Sequence, residues 1–195
     1  KMICITGSNG KTTTTSLLFD MLQRAGLDVG LAGNIGNSLA LQVAQEDHAY
    51  YVIELSSFQL DNCYDFKADI AILLNITPDH LDRYDYQFQN YVDAKFRITH
   101  NQTAEDAFIY WSEDPVINRE IARIHPQATL YPFGSQEQNV AYTNGKNLIV
   151  SAHNEVAPLA VPLDELSLHG KHNQYNSMAA GLAAQLLNID NAVIR

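Results

Sequence analysis

The 195-residue chain can bury one substantial core, and a hydrophobic content of 46% suits a single domain. Its formal net charge of −10 excludes non-specific nucleic-acid binding, which needs clustered Lys and Arg, but leaves nucleotide binding open. The sequence contains no apolar run near the roughly 18 residues of a membrane span, and we expect no signal peptide. Its two cysteines, Cys4 and Cys63, are too few for a disulfide framework, so we expect a reduced, cytoplasmic protein.

Short apolar runs alternate with helical patterns through the first half of the chain, which predicts βα units and a largely parallel sheet. We predict strands over 2–6, 29–32, 50–55 and 69–74, and helices over 17–25, 39–44 and 88–100. Gly26 is expected to stop the first helix. In the second helix, Leu39, Val43 and Ala44 are expected to face inward.

The second half is less regular. We predict strands over 107–111 and 128–131, a helix over 115–124 between them, and a closing helix over 173–187. The turn Asn144-Gly145 and short alternating segments predict a small antiparallel excursion over 139–162. The predicted fold is therefore α/β: one domain with a P-loop-type, mostly parallel sheet flanked by helices.

A glycine-rich segment, 7–13, lies between the first predicted strand and the first predicted helix, which is the context of a phosphate-binding loop. Lys11 has the position to reach the β- and γ-phosphates, and the Thr12 hydroxyl has the position to bind Mg²⁺. The spacing departs from G-x-x-x-x-G-K-[ST], because Ile5 stands where the first glycine is expected. A simple glycine turn remains the alternative.

Polar residues also follow the next strands. Glu54 ends an apolar strand, where an acid can hold Mg²⁺ or orient water, although a solvated strand-end acid is the alternative. After the strand over 69–74, His80 has the chemistry to bind a second metal or contact substrate. For Asp79 and Asp82 we favour roles in a turn and a helix cap.

Two further features occur on predicted helices. Lys95 lies on the inward stripe of its helix. Two alternatives account for this position: the side chain extends its amine to the rim of the core, or it turns toward the nucleotide site, where it could carry a modification. Asn173 and Asn176 share one face at the start of the last helix. They suit either a helix cap or the edge of a purine.

Four polar loops each follow a predicted strand of one parallel sheet. The loops at Gly7, Gly33, Glu54 and Asn75 should therefore meet at the carboxyl edge, where open α/β sheets bind ligands. The arrangement predicts one composite site.

The same segments closely resemble the Mur ligase family, whose short phosphate loop G-x-N-G-K-[ST]-T accounts for the unusual glycine spacing. GNIG and SSFQL most resemble the family's D-glutamate-adding branch. The matching stretches are ITGSNGKTTTT from Ile5, GNIG from Gly33, IELSSFQLD from Ile53, LNITPDHLDRY from Leu74, AKFRI from Ala94 and HGKHNQYN from His169.

The resemblance implies ATP-driven amide formation, in which D-glutamate is added to UDP-N-acetylmuramoyl-L-alanine through an acyl phosphate. It also implies two Mg²⁺ sites, with Lys95 carbamylated by CO₂. The catalytic residues would be Lys11, Glu54, His80 and Lys95. The residues implied to contact the phosphates are Ser8, Asn9, Gly10, Lys11, Thr12, Thr13 and Thr14, and those implied to contact adenine are Asn173 and Asn176. The implied metal ligands are Thr12, Glu54, His80 and carbamylated Lys95. The residues implied to contact the muramoyl substrate are Asn34, Gln59 and His80.

Members of this family have three domains, so the resemblance implies that 1–195 is the central ATP-binding domain without the N-terminal UDP-binding and C-terminal domains. We expect it to bind Mg-ATP without ligating, as a monomer whose partners are small molecules rather than nucleic acid or membrane. The alternatives are a sibling Mur or folylpolyglutamate-type ligase, another P-loop kinase or NTPase, and a non-catalytic nucleotide-binding module.

Overall fold

A computed structural model describes residues 1–153 and 157–195. In this part of the chain the strands are β1 Met2–Thr6, β2 Val29–Gly33, β3 Tyr50–Glu54, β4 Ile70–Leu73, β5 Ala107–Trp111, β6 Thr129–Phe133, β7 Ala141–Thr143, β8 Asn147–Val150 and β9 Leu159–Pro162. The α-helices are α1 Lys11–Arg24, α2 Leu39–Gln45, α3 Ser57–Leu60, α4 Phe88–Phe96, α5 Pro115–Ile124, α6 Lys171–Leu186 and α7 Asn191–Ile194. Short 3₁₀ helices cover Leu81–Tyr84 and Arg97–Thr99.

The strands form one sheet in the order β2-β3-β1-β4-β5-β6-β7-β8-β9. Pairing is parallel from β2 to β7 and antiparallel from β7 to β9. The predicted α/β fold is therefore confirmed, and so is the antiparallel excursion, although its residues 154–156 lie outside the described part. The Asn144 carboxamide accepts hydrogen bonds from the backbone of Lys146 and Asn147, which fixes the predicted turn.

Two apolar layers cover the two faces of the sheet. Along β1, Ile3 and Ile5 face one layer and Cys4 faces the other, as the alternation of a strand requires. Helices α1 and α6 pack on the first face, and α3, α4 and α5 contribute to the second. Because both faces are covered in the middle of the sheet, the strands β1, β3 and β4 are nearly continuous buried runs. The charged loops lie at the strand ends, outside these apolar layers, where they are available to form a functional site.

The helix boundaries differ from the predicted ones where polar residues hide the helical period. Helix α1 begins at Lys11, before Leu17, the first residue of the predicted apolar repeat, because a run of threonines occupies its first turns. The short helices α3 and α7 were not predicted. Each starts at a side-chain cap, Ser56 and Asp190 respectively, and four residues are too few to show periodicity.

The predicted inward direction of Val43 and Ala44 in α2 is wrong. Both are exposed, and Leu39 is the half-buried residue of the predicted set. Helix α2 lies beside β2, which is the edge strand. Little of the sheet surface remains there for the helix to pack against. Among the described residues no helix is both long and apolar enough to cross a membrane.

Candidate nucleotide-binding and catalytic site

Strand β1 lies between β3 and β4, and this order brings three loops together. Ile5 pairs with Glu54 on one side, and Thr6 pairs with Leu73 on the other. The loop after β1 therefore emerges between the loops after β3 and β4, at the carboxyl edge of the sheet. This placement agrees with the expected composite site.

The loop after β1 leads directly into α1. Gly10 is the N-cap residue with φ of 86°, and no side chain caps the first turn. The backbone N–H groups of that turn are therefore available to an anion, and the helix dipole favours negative charge there. This is the geometry that a phosphate loop needs.

Asn75, after β4, holds the phosphate loop in place. Its carboxamide accepts from Asn9 N at 2.8 Å and donates to Asn9 O at 3.0 Å, while its own carbonyl accepts from Ser8 N at 2.9 Å. Asn75 was not among the predicted site residues. Its position at a strand end beside the loop is the signal that identifies it.

Lys11 lies across the loop. Its Nζ donates to Gly7 O at 2.8 Å and to Ser8 O at 3.0 Å. Burial lowers the pKa of the Lys11 amine, and the negative charges of Glu54 and Asp79 partly oppose this effect. Both carboxylates are therefore near enough to act on Lys11 electrostatically.

Lys95 points at the same loop from α4. Its side chain is 2% exposed, its Nζ donates to Gly7 O at 2.9 Å, and the amine lies 4.7 Å from the centroid of the Tyr91 ring. Burial, and then the charge of Lys11, lowers the pKa of Lys95 to about 7. Of the two alternatives, the structure supports a lysine turned toward the nucleotide site.

Tyr91 connects α4 to the phosphate loop and was not predicted as a site residue. Its hydroxyl lies 2.9 Å from Ser8 Oγ, which itself bonds to Thr77 O at 2.9 Å and accepts from Thr77 N. Because the Ser8 hydroxyl has one proton and donates it to Thr77 O, Tyr91 is the donor to Ser8. Tyr91 lies four residues before Lys95, so helical spacing is the signal that links the two residues.

Glu54 presents a carboxylate beside the loop. It is 1% exposed; Oε1 accepts from Asn34 Nδ2 at 2.9 Å, whereas Oε2 is buried and has no hydrogen-bond partner in the described chain. A buried carboxylate oxygen without a partner is energetically unfavourable unless a cation or a hydrogen-bond donor contacts it.

The donor set fits a hard cation. Residues 1–153 and 157–195 contain no cluster of three or more His, Cys, Asp or Glu side chains that could hold a metal ion by themselves. Glu54 and the hydroxyl of Thr12, at the start of α1, supply oxygen atoms. Mg²⁺ takes one or two protein oxygens and completes its shell with water and phosphate, so these residues fit Mg²⁺.

The remaining predicted residues of the β3 and β4 loops are less enclosed. The His80 side chain is 59% exposed, and its ring lies 5.4 Å from the Phe58 ring. Asp79 accepts from His80 N at 2.9 Å, which agrees with the predicted turn role. The Gln59 carboxamide accepts from Ser56 as part of a capping box. Of the residues expected to contact substrate, Asn34 is the one in direct contact with Glu54.

A cavity of about 540 Å³ opens beside the loop. Asn176 lines it, whereas Asn173 is not among the lining residues and donates to His169 O at 2.8 Å. Three aromatic residues, none of them predicted, also line the cavity, and two of them end strands β5 and β6. The full lining is Asn9, Gly10, Thr13, Leu74, Asn75, Thr77, Trp111, Phe133, His172, Tyr175 and Asn176.

The Mur ligase middle domain family matches residues 5–184, and the chain belongs to this family. The chain is 59% identical over its whole length to the UDP-N-acetylmuramoylalanine–D-glutamate ligase of Bacteroides fragilis, and 56% identical to that of Porphyromonas gingivalis. It spans about 44% of the length of these curated relatives.

Solved structures of the family share the fold. One is a UDP-N-acetylmuramoyl-L-alanyl-D-glutamate–2,6-diaminopimelate ligase, with a TM-score of 0.79 and 24% identity, covering the whole chain and 45% of that protein. Another is a MurF ligase from Thermotoga maritima in complex with ADP, with a TM-score of 0.72 and 18% identity, covering the whole chain and 47% of that protein.

Proposed function

We propose that this chain is the ATP-binding part of a ligase that joins D-glutamate to UDP-N-acetylmuramoyl-L-alanine. The names of the curated relatives support the reaction. The binding of ATP with Mg²⁺ is carried by one observation, the unpartnered oxygen of Glu54 beside the phosphate loop. ATP and nucleotide-linked precursors are cytoplasmic substrates, so we propose that location. All proposed site residues come from one chain, so a monomer suffices.

The phosphates would bind at the start of α1. The backbone N–H groups of Gly10 to Thr13 would bind the phosphates, because those of Ser8, Asn9 and Thr14 already donate to Asn75 O, Asn75 Oδ1 and Gly10 O. Lys11 would exchange its two neutral partners, the Gly7 and Ser8 carbonyls, for phosphate oxygens. The positive charge of Lys11 then stabilises negative charge as the γ-phosphoryl group is transferred. Asn173 and Asn176 are proposed near adenine.

Thr12 and Glu54 would hold the first Mg²⁺, which supplies charge neutralisation at the phosphates when bound. The Asn34 carboxamide orients Glu54 by holding Oε1, which leaves Oε2 free for the ion. His80 and a carbamylated Lys95 are proposed for a second site.

Carbamylation of Lys95 is chemically reasonable at its position. An amine reacts with CO₂ in its neutral form: the N–C bond forms and one amine proton leaves to solvent. Because the pKa of Lys95 is lowered to about 7, a large share of the amine is neutral near pH 7. The product is an anion that would remove the repulsion between Lys95 and Lys11.

In the proposed reaction the substrate carboxylate forms a bond to the γ-phosphorus, and the bond between that phosphorus and ADP breaks. The D-glutamate amine then attacks the acyl carbon, phosphate leaves, and the amine proton passes to solvent. Asn34, Gln59 and His80 are proposed to position the muramoyl substrate. Lys11 acts electrostatically throughout.

The substitution Glu54→Gln tests the metal role, because it keeps the acceptor for Asn34 and removes the charge. We expect Mg²⁺ to strengthen ATP binding by the unchanged chain at least tenfold in calorimetric titrations. In Glu54→Gln this enhancement is lost, while ATP binding in EDTA is retained. Glu46→Gln, an exposed control, should behave as the unchanged chain. An undiminished Mg²⁺ effect in Glu54→Gln would remove the proposed metal site.

Ligation is tested in a chimaera in which these 195 residues replace the matched 44% of the Bacteroides fragilis ligase. We expect phosphate release that depends on UDP-N-acetylmuramoyl-L-alanine and D-glutamate. Phosphate release stimulated instead by L-alanine or meso-diaminopimelate would assign the chain to a sibling ligase. The 195-residue chain alone is expected to bind nucleotide without ligating.

A further inference from the structure

The loop after β5 also reaches the site, through the side chain of Asp114. Strands β4 and β5 pair in parallel, and Leu73 pairs with Tyr110, so the loops after these two strands emerge side by side. Asp114 is the N-cap residue of α5 and is 3% exposed. It was not among the predicted site residues.

The two carboxylate oxygens of Asp114 have different partners. Oδ1 accepts from the backbone N–H groups of Val116 at 2.8 Å and Ile117 at 3.1 Å, which caps α5. Oδ2 contacts the neighbouring loop, where it accepts from Ile76 N at 2.8 Å. A helix cap needs only one acceptor oxygen, so capping does not explain the bond to Ile76.

Ile76 lies between the two residues that hold the phosphate loop. The Asn75 carboxamide and the Thr77 backbone each form two hydrogen bonds with that loop. The bond from Ile76 N to Asp114 is buried, so solvent does not replace it when it is broken. The Asp114 carboxylate therefore fixes the stretch of backbone from which both contacts to the phosphate loop extend.

We infer that Asp114 is a positioning residue for phosphate binding, which acts by holding Ile76 and, through it, the shape of the phosphate loop. This inference rests on the proposed binding of a nucleoside triphosphate at that loop. Asp114 forms no salt bridge among the described residues, so its negative charge by itself disfavours a bound anion. Its hydrogen bond to Ile76 has the opposite effect, and the sign of the change on mutation separates the two.

The substitution Asp114→Asn breaks the bond to Ile76 selectively. Asn is as good an N-cap as Asp, so the carboxamide oxygen keeps the cap of α5. The amide nitrogen then replaces Oδ2, and a donor faces the Ile76 N–H. Loss of the charge alone would strengthen phosphate binding. We expect the opposite: ATP and tripolyphosphate, each with Mg²⁺, should both bind about tenfold more weakly in calorimetric titrations.

A second variant, Asp114→Ser, reaches the same end by a different route. Serine also caps helices, but its single oxygen cannot serve both α5 and Ile76. We expect the same loss of affinity for ATP and tripolyphosphate as in Asp114→Asn. Circular dichroism and thermal unfolding check that each variant is folded.

Two control variants disturb similar bonds elsewhere. Asn118→Ala removes a 2.7 Å bond to Ser112 O near the start of α5, without a contact to Ile76. Asp190→Asn changes the N-cap of α7, whose carboxylate accepts from Ala192 N at 2.7 Å. Both should bind tripolyphosphate as the unchanged chain does. If Asn118→Ala weakened binding as much as Asp114→Asn, a general disturbance of α5 would replace the proposed role.

The unchanged chain provides a test that needs no variant. If the bond between Ile76 and Asp114 favours phosphate binding, bound phosphate must favour that bond to the same extent. Hydrogen exchange at the Ile76 amide should therefore slow when Mg-tripolyphosphate binds, and the Ile117 amide, which bonds to the other oxygen of Asp114, should change little. Equal slowing at both amides would reflect general stabilisation and would contradict the link.

The outcomes distinguish the two proposals. If folded Asp114→Asn and Asp114→Ser bind tripolyphosphate as tightly as the unchanged chain, or more tightly, Asp114 is only a helix cap, while the phosphate site stands. Should neither variant fold, the exchange of Ile76 in the unchanged chain decides between these roles. If neither ATP nor tripolyphosphate binds the unchanged chain, the proposed nucleotide function fails, and the inference fails with it.

Discussion

The side-chain amines of Lys11 and Lys95 donate to one shared oxygen, the carbonyl of Gly7, at 2.8 Å and 2.9 Å. Among the described residues neither lysine forms a salt bridge. Two partly or fully buried amines therefore converge on one dipole. Burial first, and then the charge of Lys11, lowers the pKa of Lys95 to about 7. An anion bound at the loop would relieve the repulsion between the charge of Lys11 and the protonated form of Lys95.

Removing Lys11 should therefore not destabilise the ligand-free chain. We expect Lys11→Met to leave the free energy of unfolding unchanged or to raise it by up to about 1 kcal/mol, while the thermal shift produced by Mg-ATP disappears. The control is Lys67→Met, which breaks the 2.8 Å salt bridge to the buried Asp106 and should destabilise the chain. Denaturant unfolding measures both. A larger loss in Lys11→Met than in Lys67→Met would contradict this account.

Asn75 is expected to set the shape of the phosphate loop through its two carboxamide bonds to Asn9. Asn75→Ala removes both bonds and should weaken ATP binding by about tenfold or more while costing about 1–2 kcal/mol of stability. Asn75→Asp keeps the hydrogen-bond acceptor and loses the donor. Its ATP affinity should therefore lie between those of the unchanged chain and Asn75→Ala, or below both. Asn62→Ala, at an exposed site, is the control. Full ATP affinity in Asn75→Ala would show that the loop holds its shape unaided.

Gly10 and Gly145 have nearly the same backbone conformation, with φ of 86° and 85°, but different surroundings. A Cβ on Gly10 would lie 2.4 Å from Asn176 Oδ1, whereas one on Gly145 would meet no described atom within 4 Å. Gly145→Ala should therefore cost about 1–2 kcal/mol for its left-handed conformation alone. Gly10→Ala should cost more and should also lower ATP affinity. Equal losses of stability in denaturant titrations would mean that Asn176 moves aside freely.

Glu120 should make stability depend on pH in the acid range. Burial raises the pKa of this carboxyl, but hydrogen bonds from Arg123 and Arg119 outweigh burial and hold the pKa below 4.5. The ion-paired form therefore contributes stability above about pH 4.5, and this contribution is lost as the pH falls through the lowered pKa. Glu120→Gln should be less stable than the unchanged chain at pH 7, by about 1–2 kcal/mol.

The stability difference between the two proteins should shrink progressively below pH 4.5 and approach zero in strong acid. Denaturant titrations from pH 3 to pH 7 measure it. Glu137→Gln, at an exposed position, should change stability by less than about 0.5 kcal/mol. A difference between Glu120→Gln and the unchanged chain that stays constant with pH would contradict the role of the ion pairs.

The strands and the order of the loops could be predicted from the sequence because they depend on local patterns. Apolar runs such as Met2–Thr6 and Ala107–Trp111 were predicted with their observed bounds. The direction of Val43 could not be predicted, because the periodicity of a helix does not reveal that its neighbour β2 is an edge strand. The helix Ser57–Leu60 was missed because one turn contains no repeat.

The chemistry of the phosphate loop was determined by the sequence itself, since one continuous segment supplies its glycines, its lysine and its threonine. The target of Lys95 was decided by the tertiary structure, because the Gly7 carbonyl that it contacts is 88 residues away along the chain. The same holds for the cavity beside the phosphate loop, whose aromatic lining residues come from β5, β6 and α6. Local patterns determine which residues are present and which face they share, but the position of a side chain next to distant residues depends on how the helices pack on the sheet.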